Sequence, residues 1–422
     1  MRTSLALLLL LASARADDAA EENRLLRERL AAAEQRIGAL EQQRGAQQRA
    51  ALQGDIETYL ETARPETPAP LAGYDNGLFV RDAAGNHLLR LNGQLQMRFA
   101  ANEQEDSLGD PHVAGFEIPR AKLIATGHVL SPRWQYKLEG NFDLDDGVLT
   151  LQDAWVTYYA ECGWSVTAGQ FKCPVLREEK VDSMYQLAVD RSVVNDALTS
   201  GERLQGVAVG YAREAWRAWG AYTDGDGNVN TPVLAGDAEY AFTFRGELLL
   251  KGRFDLFEDF TSFRGDAPGI LLAINAHFQR GESGQPGPEA EVFLLSFDAS
   301  FEFGGANAMV EAIYVQLDPG GAGGVREMFG LVAQGGFFVT ETVEVFVRYE
   351  YADLDPLGFS SNINIGTIGV TRYFDRHRIK LTGDIGYAFD AVPVTTKYSD
   401  FREDIPLASG QLVLRIQLQL LF

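Results

Sequence analysis

Only two cysteines, Cys162 and Cys173, occur in 422 residues, so no disulfide framework holds this chain together. Histidine is equally sparse. His87, His112, His128, His277 and His377 stand in no His-x-x-x-His spacing, and there is no Gly-x-Ser-x-Gly elbow. No motif therefore asks for a metal, a cofactor or an enzymatic nucleophile, although a triad spread across separate strands would leave no such trace. After the first few residues no apolar run is long enough to cross a membrane as a helix. Basic residues are outnumbered, 37 Lys and Arg against 59 Asp and Glu, and the formal net charge of -22 argues against a nucleic-acid partner. What is plentiful is aromatic residues and glycine, with 25 Phe, 15 Tyr and 43 Gly. That mixture suits many strands with aromatic girdles and tight turns.

The stretch Gln411 to Phe422 shows the pattern most clearly. Leu412, Leu414, Ile416, Leu418, Leu420 and Phe422 fall on one side of a period-2 alternation, and Gln411, Val413, Arg415, Gln417 and Gln419 fall on the other. Side chains of a strand point alternately to opposite faces, so one face is greasy and one wet. In water such an edge invites aggregation. In a bilayer it closes a barrel, because only helices and closed barrels satisfy every backbone group there. The competing reading is a core strand of a soluble sandwich.

The amino end reads differently. Arg2, the apolar run Leu5 to Leu11 and the small-residue stretch Ala14-Arg15-Ala16 predict a signal peptide over 1–16, cut before Asp17, in a bacterial exported protein. Residues 17–63 are rich in Glu, Arg, Gln, Ala and Leu. Leu26, Leu30, Ala33, Ile37 and Leu40 alternate steps of four and three, a coiled-coil seam, and a second stripe at Leu52, Ile56, Tyr59 and Leu60 is out of register with it. This predicts a periplasmic helical segment, either self-associating or a solvated single helix. A linker and lead-in over 64–85 follows, with Pro65, Pro68 and Pro70 opposing helix.

From 86 to 422 alternating segments recur, among them Leu89 to Phe99, Arg133 to Phe142, Val343 to Tyr351 and Ile379 to Tyr387. The expectation is an all-β transmembrane barrel of about 16 antiparallel strands, preceded by a short N-terminal coiled-coil helix. Connections sort by parity. Long gaps near 100–115, 143–147, 172–203, 224–236, 280–289, 318–326, 352–360 and 390–410 alternate with tight ones such as Ser131-Pro132 and Gly304-Gly305, as in barrels with external loops and periplasmic turns. Only 251–267 is long where a turn is expected.

Tyr74 to Phe79 leading into Leu89 to Phe99, Pro119-Arg120-Ala121-Lys122, Trp134 to Leu138, Leu151 to Trp155, Gly169 to Lys172, Asp190-Arg191-Ser192 and Arg348 to Tyr351 together resemble the phosphate-selective porin O and P family. The resemblance runs from about 74 to 422. It implies a sixteen-stranded trimeric outer-membrane porin for small anions such as phosphate or other small solutes. Basic residues would line its pore, and a third external loop would fold inward.

The longest connection, 172–203, is the third external one and carries Lys172, Arg177, Lys180, Arg191 and Arg203, the expected pore constriction. A positive constriction concentrates anions and repels cations, unless these groups only pair with neighbouring acids. Arg98, Arg120, Lys122, Arg133 and Lys137 near the start, and Arg348, Arg372, Lys380 and Arg415 near the end, are expected on the pore wall. Acids such as Glu139, Asp298, Glu311, Glu350 and Asp384 dilute them. The strong acidity departs from a phosphate-selective pattern, which leaves a general-diffusion pore, a barrel enzyme and an envelope tether as alternatives. Phe422 is expected to serve as the insertion signal toward outer-membrane lipid and the barrel assembly machinery. Asp224 to Asn228 opens like a calcium loop, but Val229 and Ala235 stand where its glycine and closing glutamate belong, so it reads as an external loop. Cys162 and Cys173 lie a full strand apart, too far to pair.

Overall fold

A computed structural model of the chain describes residues 24–46, 52–54, 71–105, 110–199, 202–227, 229–232, 240–281, 289–320, 324–354, 362–394, 396–404 and 410–422. The expected signal peptide, most of the proline-containing linker and the last residue of the calcium-like loop lie outside these. The chain divides into two units, Met1–Ala69 and Pro70–Phe422. In the first, helix α1 spans 24–46. Its seam residues Leu26, Leu30, Ile37 and Leu40 are all exposed in the single chain. No helix among the described residues is long and apolar enough to cross a membrane.

The second unit is one antiparallel sheet of eighteen strands. A small hairpin, β1 (Ala72–Tyr74) and β2 (Leu78–Arg81), precedes the long strands β3 (Leu88–Gln104) and β4 (His112–His128). Five shorter strands follow: β5 (Trp134–Phe142), β6 (Leu149–Tyr159), β7 (Trp164–Lys172), β8 (Arg203–Ala212) and β9 (Trp216–Thr223). The taller wall comprises β10 (Tyr240–Lys251), β11 (Gly269–Gly281), β12 (Ala290–Glu302), β13 (Ala306–Asp318), β14 (Arg326–Phe338), β15 (Val343–Asp353) and β16 (Asn362–Asp375). Finally β17 (Ile379–Ala388) leads to β18 (Gln411–Leu421).

Each strand from β3 to β18 pairs with the next, and β18 pairs back onto β3 from Gln411 opposite Gln104 to Leu421 opposite Gln94. The barrel is therefore closed with sixteen strands. Wall height is uneven, since β7 and β9 have 9 and 8 residues while β11, β12, β13 and β14 have 13 each.

The seam shows how the alternation is used. Gln96, Arg98, Gln417 and Gln419 are buried on the inner face, while Leu95, Met97, Ile416, Leu418 and Leu420 are exposed on the outer one. Phe422 and Gly93 exchange both backbone hydrogen bonds, at 3.0 and 2.6 Å. A Cβ on Gly93 would fall inside the Phe422 ring, so glycine is what lets that ring lie flat on β3. Beyond this point β2 takes over as partner of β3, from Leu78 opposite Leu91 to Arg81 opposite Leu88. The hairpin thus covers the edge that β18 leaves bare, which removes a row of unpaired backbone groups.

Candidate functional site

The lumen is filled by three connections rather than one. The inner loop, 173–202, folds in between β7 and β8 and carries two short helices, α2 (Arg177–Lys180) and α3 (Val193–Leu198). From the opposite, turn end, the connection 252–268 folds inward and buries Phe257, Phe260, Thr261 and Ser262. It meets the inner loop directly: the Phe260 amide donates to the Tyr185 carbonyl, 3.3 Å, and the Arg177 guanidinium donates to the Phe257 carbonyl, 2.6 Å. The third, 389–410, turns in from the loop end and buries Val392 and Phe401.

The inner loop has an apolar side and a polar side. Leu176, Leu187, Val193, Val194 and Leu198 belong to one buried cluster with Met309, Ile313, Val332, Phe346 and Ile365 of β13 to β16. Gly330 makes the approach possible, because a Cβ there would strike Leu198 and Val194. On the polar side, wall carboxylates hold the loop backbone. Glu311 accepts from the Arg177 amide at 2.6 Å, Glu350 from the Val193 amide at 2.6 Å, and Asp384 from the Val189 amide at 3.0 Å. Several acids that dilute the positive lumen in the sequence are therefore loop anchors.

Most of the expected wall bases face inward, and nearly all are matched by acids. Asp190 of the inner loop accepts two hydrogen bonds from Arg120, 2.7 and 2.8 Å, and one from Arg98 at 2.7 Å. Arg98 also meets Asp400 of the third connection at 2.7 Å, and Tyr398 of that connection lies 4.3 Å under the Arg120 guanidinium. Lys122 pairs with Glu139 at 2.8 Å, and Lys137 with Asp153 at 2.6 Å. Arg348 reaches Glu178 at 3.3 Å, Lys380 donates to the Gln186 carbonyl at 3.1 Å, and Arg415 pairs with Asp384 at 2.8 Å. In the loop, Lys172 meets Asp182 at 2.8 Å, Arg191 meets Glu202 at 2.8 Å, and Arg203 meets Asp153 at 3.2 Å.

Two expected wall residues are elsewhere. Arg133 lies in the turn before β5, where it is exposed and paired with Glu161 of the next turn. Arg372 lies on the outer face of β16, bonded to Thr342. On β16 the inner positions covered by the loop are apolar, Ile363 and Ile365, while the outer ones beside them are Asn362 and Asn364, so its alternation points the wrong way.

One region departs from charge matching. Glu247 of β10 is shared by three cations, Lys180 at 2.8 Å, Arg245 at 2.6 Å and Arg217. Close by, Arg177 is buried. Its side chain bonds Ser300 and the Phe257 carbonyl and lies 5.1 Å from the Phe260 ring centroid, and among the described residues its Nη1 has no hydrogen-bond partner and no carboxylate pairs with its guanidinium. These residues border a lumenal cavity of about 570 Å³ on the turn side of the inner loop, walled between its charges by Trp155, Phe171, Tyr185 and Trp219.

Residues 89–262 match the family model described as phosphate-selective porin O and P. This stretch, from β3 into the inward connection after β10, is similar to that porin family. Among solved structures, an anion-selective porin from Comamonas acidovorans superposes with a TM-score of 0.60 at 14% identity, covering 80% of this chain and 100% of the other. Outer-membrane expressed OmpT of Vibrio cholerae gives 0.55 at 13% identity, over 80% and 98%. OmpF of Salmonella typhi, in complex with daunomycin, gives 0.54 at 12% identity, over 83% and 100%. Among curated proteins none matches the sequence.

The match and the closed barrel support an outer-membrane porin channel. Arg217 and Arg245, which share Glu247, are not among the site residues expected from the sequence. The signal for them was present: Arg245 and Glu247 alternate with Phe242, Phe244 and Leu248, and Arg217 follows Trp216 at the start of its strand. Single charges inside otherwise apolar strands of a barrel mark the lumen.

Proposed function

We propose that this porin is a passive channel with a preference for small anions, set at the turn-side cavity rather than along the whole wall. The observation that carries the reading is that four cations, Arg177, Lys180, Arg217 and Arg245, meet with two paired carboxylates, Glu247 and Asp298, of which Asp298 pairs only with Arg245 among the described residues. Two unit charges 4 Å apart interact by about 4 kcal/mol at the effective dielectric of a protein surface, so an uncompensated cation here is strongly felt by a passing ion. Of the acids behind the net charge of -22, most in the lumen are matched by bases, and those on exposed loops are screened beyond a Debye length of ~8 Å. The anion selectivity stated for the Comamonas porin agrees with this reading. Reversal potential in a planar bilayer under a potassium chloride gradient is the measurement. Wild type should pass chloride in preference to potassium, and the double variant Lys180→Glu with Arg217→Glu should prefer potassium. Cation preference in wild type would overturn the assignment. A reversal potential of zero would favour general diffusion, which the charge matching elsewhere in the lumen supports as the second reading.

The same reading makes the protein a channel and not an enzyme, assembled as a homotrimer whose residues 17–63 are a self-associating periplasmic helix. A trimer form is stated for the Vibrio OmpT, and the exposed Leu26, Leu30, Ile37 and Leu40 need a partner to be covered. Chemical cross-linking of folded protein, full-length and lacking 17–63, should give a trimer band in both and a stronger one in the full chain. Monomer alone in both would refute the assembly.

A further inference from the structure

The turn-side cavity has a second property that a plain ion filter does not need. Between its cations the wall is aromatic. Trp155, Tyr185 and Trp219 line the cavity and are half-buried, and Phe171 packs edge-on against Trp219 at 5.6 Å between ring centroids. Aromatic side chains in a water-filled lumen lose hydration energy that only an apolar guest returns. Their positions are also fixed. Phe171 and Ala221 belong to the buried cluster against which Trp155, Tyr185 and Trp219 pack, so the rings cannot turn away into a core of their own.

The cations sit on one side of this wall and are equally fixed. Arg245 bonds Asp298, Asn275 and the Pro174 carbonyl at 2.9, 2.7 and 3.2 Å, and Arg217 stacks 4.3 Å over Phe254 of the inward connection. Arg177 keeps Nη1 unpartnered although it is almost fully buried. A buried guanidinium nitrogen without an acceptor is costly unless an acceptor arrives.

We propose that this cavity is a binding site for organic anions with a flat apolar body, such as aromatic carboxylates. It rests on the anion-channel reading above and narrows it to a solute class. The carboxylate takes the place beside Arg177, Lys180 and Arg217, and the ring lies along Trp155 and Trp219. Inorganic phosphate satisfies the cations but gains nothing from the rings, and its tightly held hydration shell is stripped where only aromatic faces replace it. A short aliphatic carboxylate is the matched control, with the same charge and no ring.

The experiment uses the full-length channel in a planar bilayer, with benzoate, acetate or phosphate added to both chambers in a chloride background. The readout is concentration-dependent block of the chloride current. One aromatic contact of this kind corresponds to about tenfold in affinity, so benzoate should block at roughly one-tenth the concentration of acetate or less. Trp219→Ala should bring the blocking concentration of benzoate close to that of acetate, and Trp155→Ala provides the same test should the first variant fold poorly. If benzoate blocks no better than acetate while wild type still prefers chloride, the aromatic site is refuted and the anion channel stands. If wild type prefers potassium, and benzoate and acetate again block alike, both fall. Phosphate blocking more tightly than benzoate would likewise refute the site, in favour of a filter for inorganic anions.

Discussion

Replacing Asp190 by alanine should open the lumen and loosen the inner loop, by more than any other single substitution in this protein. Its carboxylate holds Arg98 and Arg120 through three hydrogen bonds of 2.7 to 2.8 Å, and all three side chains are nearly fully buried. Removing one partner of such a buried cluster costs about 3–5 kcal/mol, chiefly because the remaining charges lose their compensation. Arg98 would keep Asp400 and Glu117, but Arg120 would retain only Gln96 at 3.3 Å and the ring of Tyr398. Two outcomes follow together. The loop detaches from the β3–β4 wall, so single-channel conductance rises, and one guanidinium becomes free, so the reversal potential moves further toward anion preference. Asp190→Asn should show a smaller shift in the same direction, since it keeps the shape and loses the charge. Unchanged conductance in Asp190→Ala would show that the loop is held by its apolar side alone.

Deleting Phe422 should impair barrel closure. Both backbone bonds to Gly93 disappear, and a net hydrogen bond is worth about 1 kcal/mol. The ring is 54% exposed, so its contact with β3 contributes only part of the roughly 1.5–3 kcal/mol of full aromatic burial. A loss of about 2–4 kcal/mol falls on the seam, the one joint of the barrel made by strands distant in the chain. The expected observation is less heat-modifiable, folded protein in the outer membrane, with the assembly machinery as the step affected. Gly93→Leu should reproduce the defect from the other side by displacing the ring, whereas Phe422→Tyr should be tolerated. Normal folded yield for the deletion would remove Phe422 from any role in insertion.

The barrel was legible in the sequence because each strand needs only local information: polarity repeats every two residues, and the bilayer makes the outward set apolar throughout. Arg98, Arg120, Lys137 and Arg415 were placed on the correct face for that reason. What the inner face touches is not local. Met309, Ile313, Val332 and Ile365 point into the lumen yet are apolar, because Val194, Leu198 and their neighbours cover them. No alternation announces that, and Arg372 was misassigned on a strand of this kind. The connection 251–267 was noticed as too long for a turn, but its length alone does not say that Phe257 and Phe260 enter the barrel. The sequence leaves open whether the constriction bases pair with acids, and which acids they meet is not local information. Arg191 and Arg203 are met by Glu202 and Asp153 in the fold, whereas Arg245 looks like one charge in an apolar strand and shares Glu247 with Lys180 and Arg217.

The uneven wall has a consequence for the surrounding lipid. At ~3.3 Å per residue and a tilt of roughly 40°, the 8 residues of β9 rise about 20 Å, and the 13 residues of β13 about 33 Å. An outer-membrane apolar band is about 25 Å tall, so lipid fits the tall side and must compress by roughly 5 Å beside β9 and about 2 Å beside β7. Such mismatch costs fractions of a kcal/mol per Å for each lipid contacting that side. Covering the low side with a neighbouring barrel would relieve it. Membrane thickness therefore acts on this porin from one flank only, and a thicker bilayer favours whatever arrangement hides that flank from lipid.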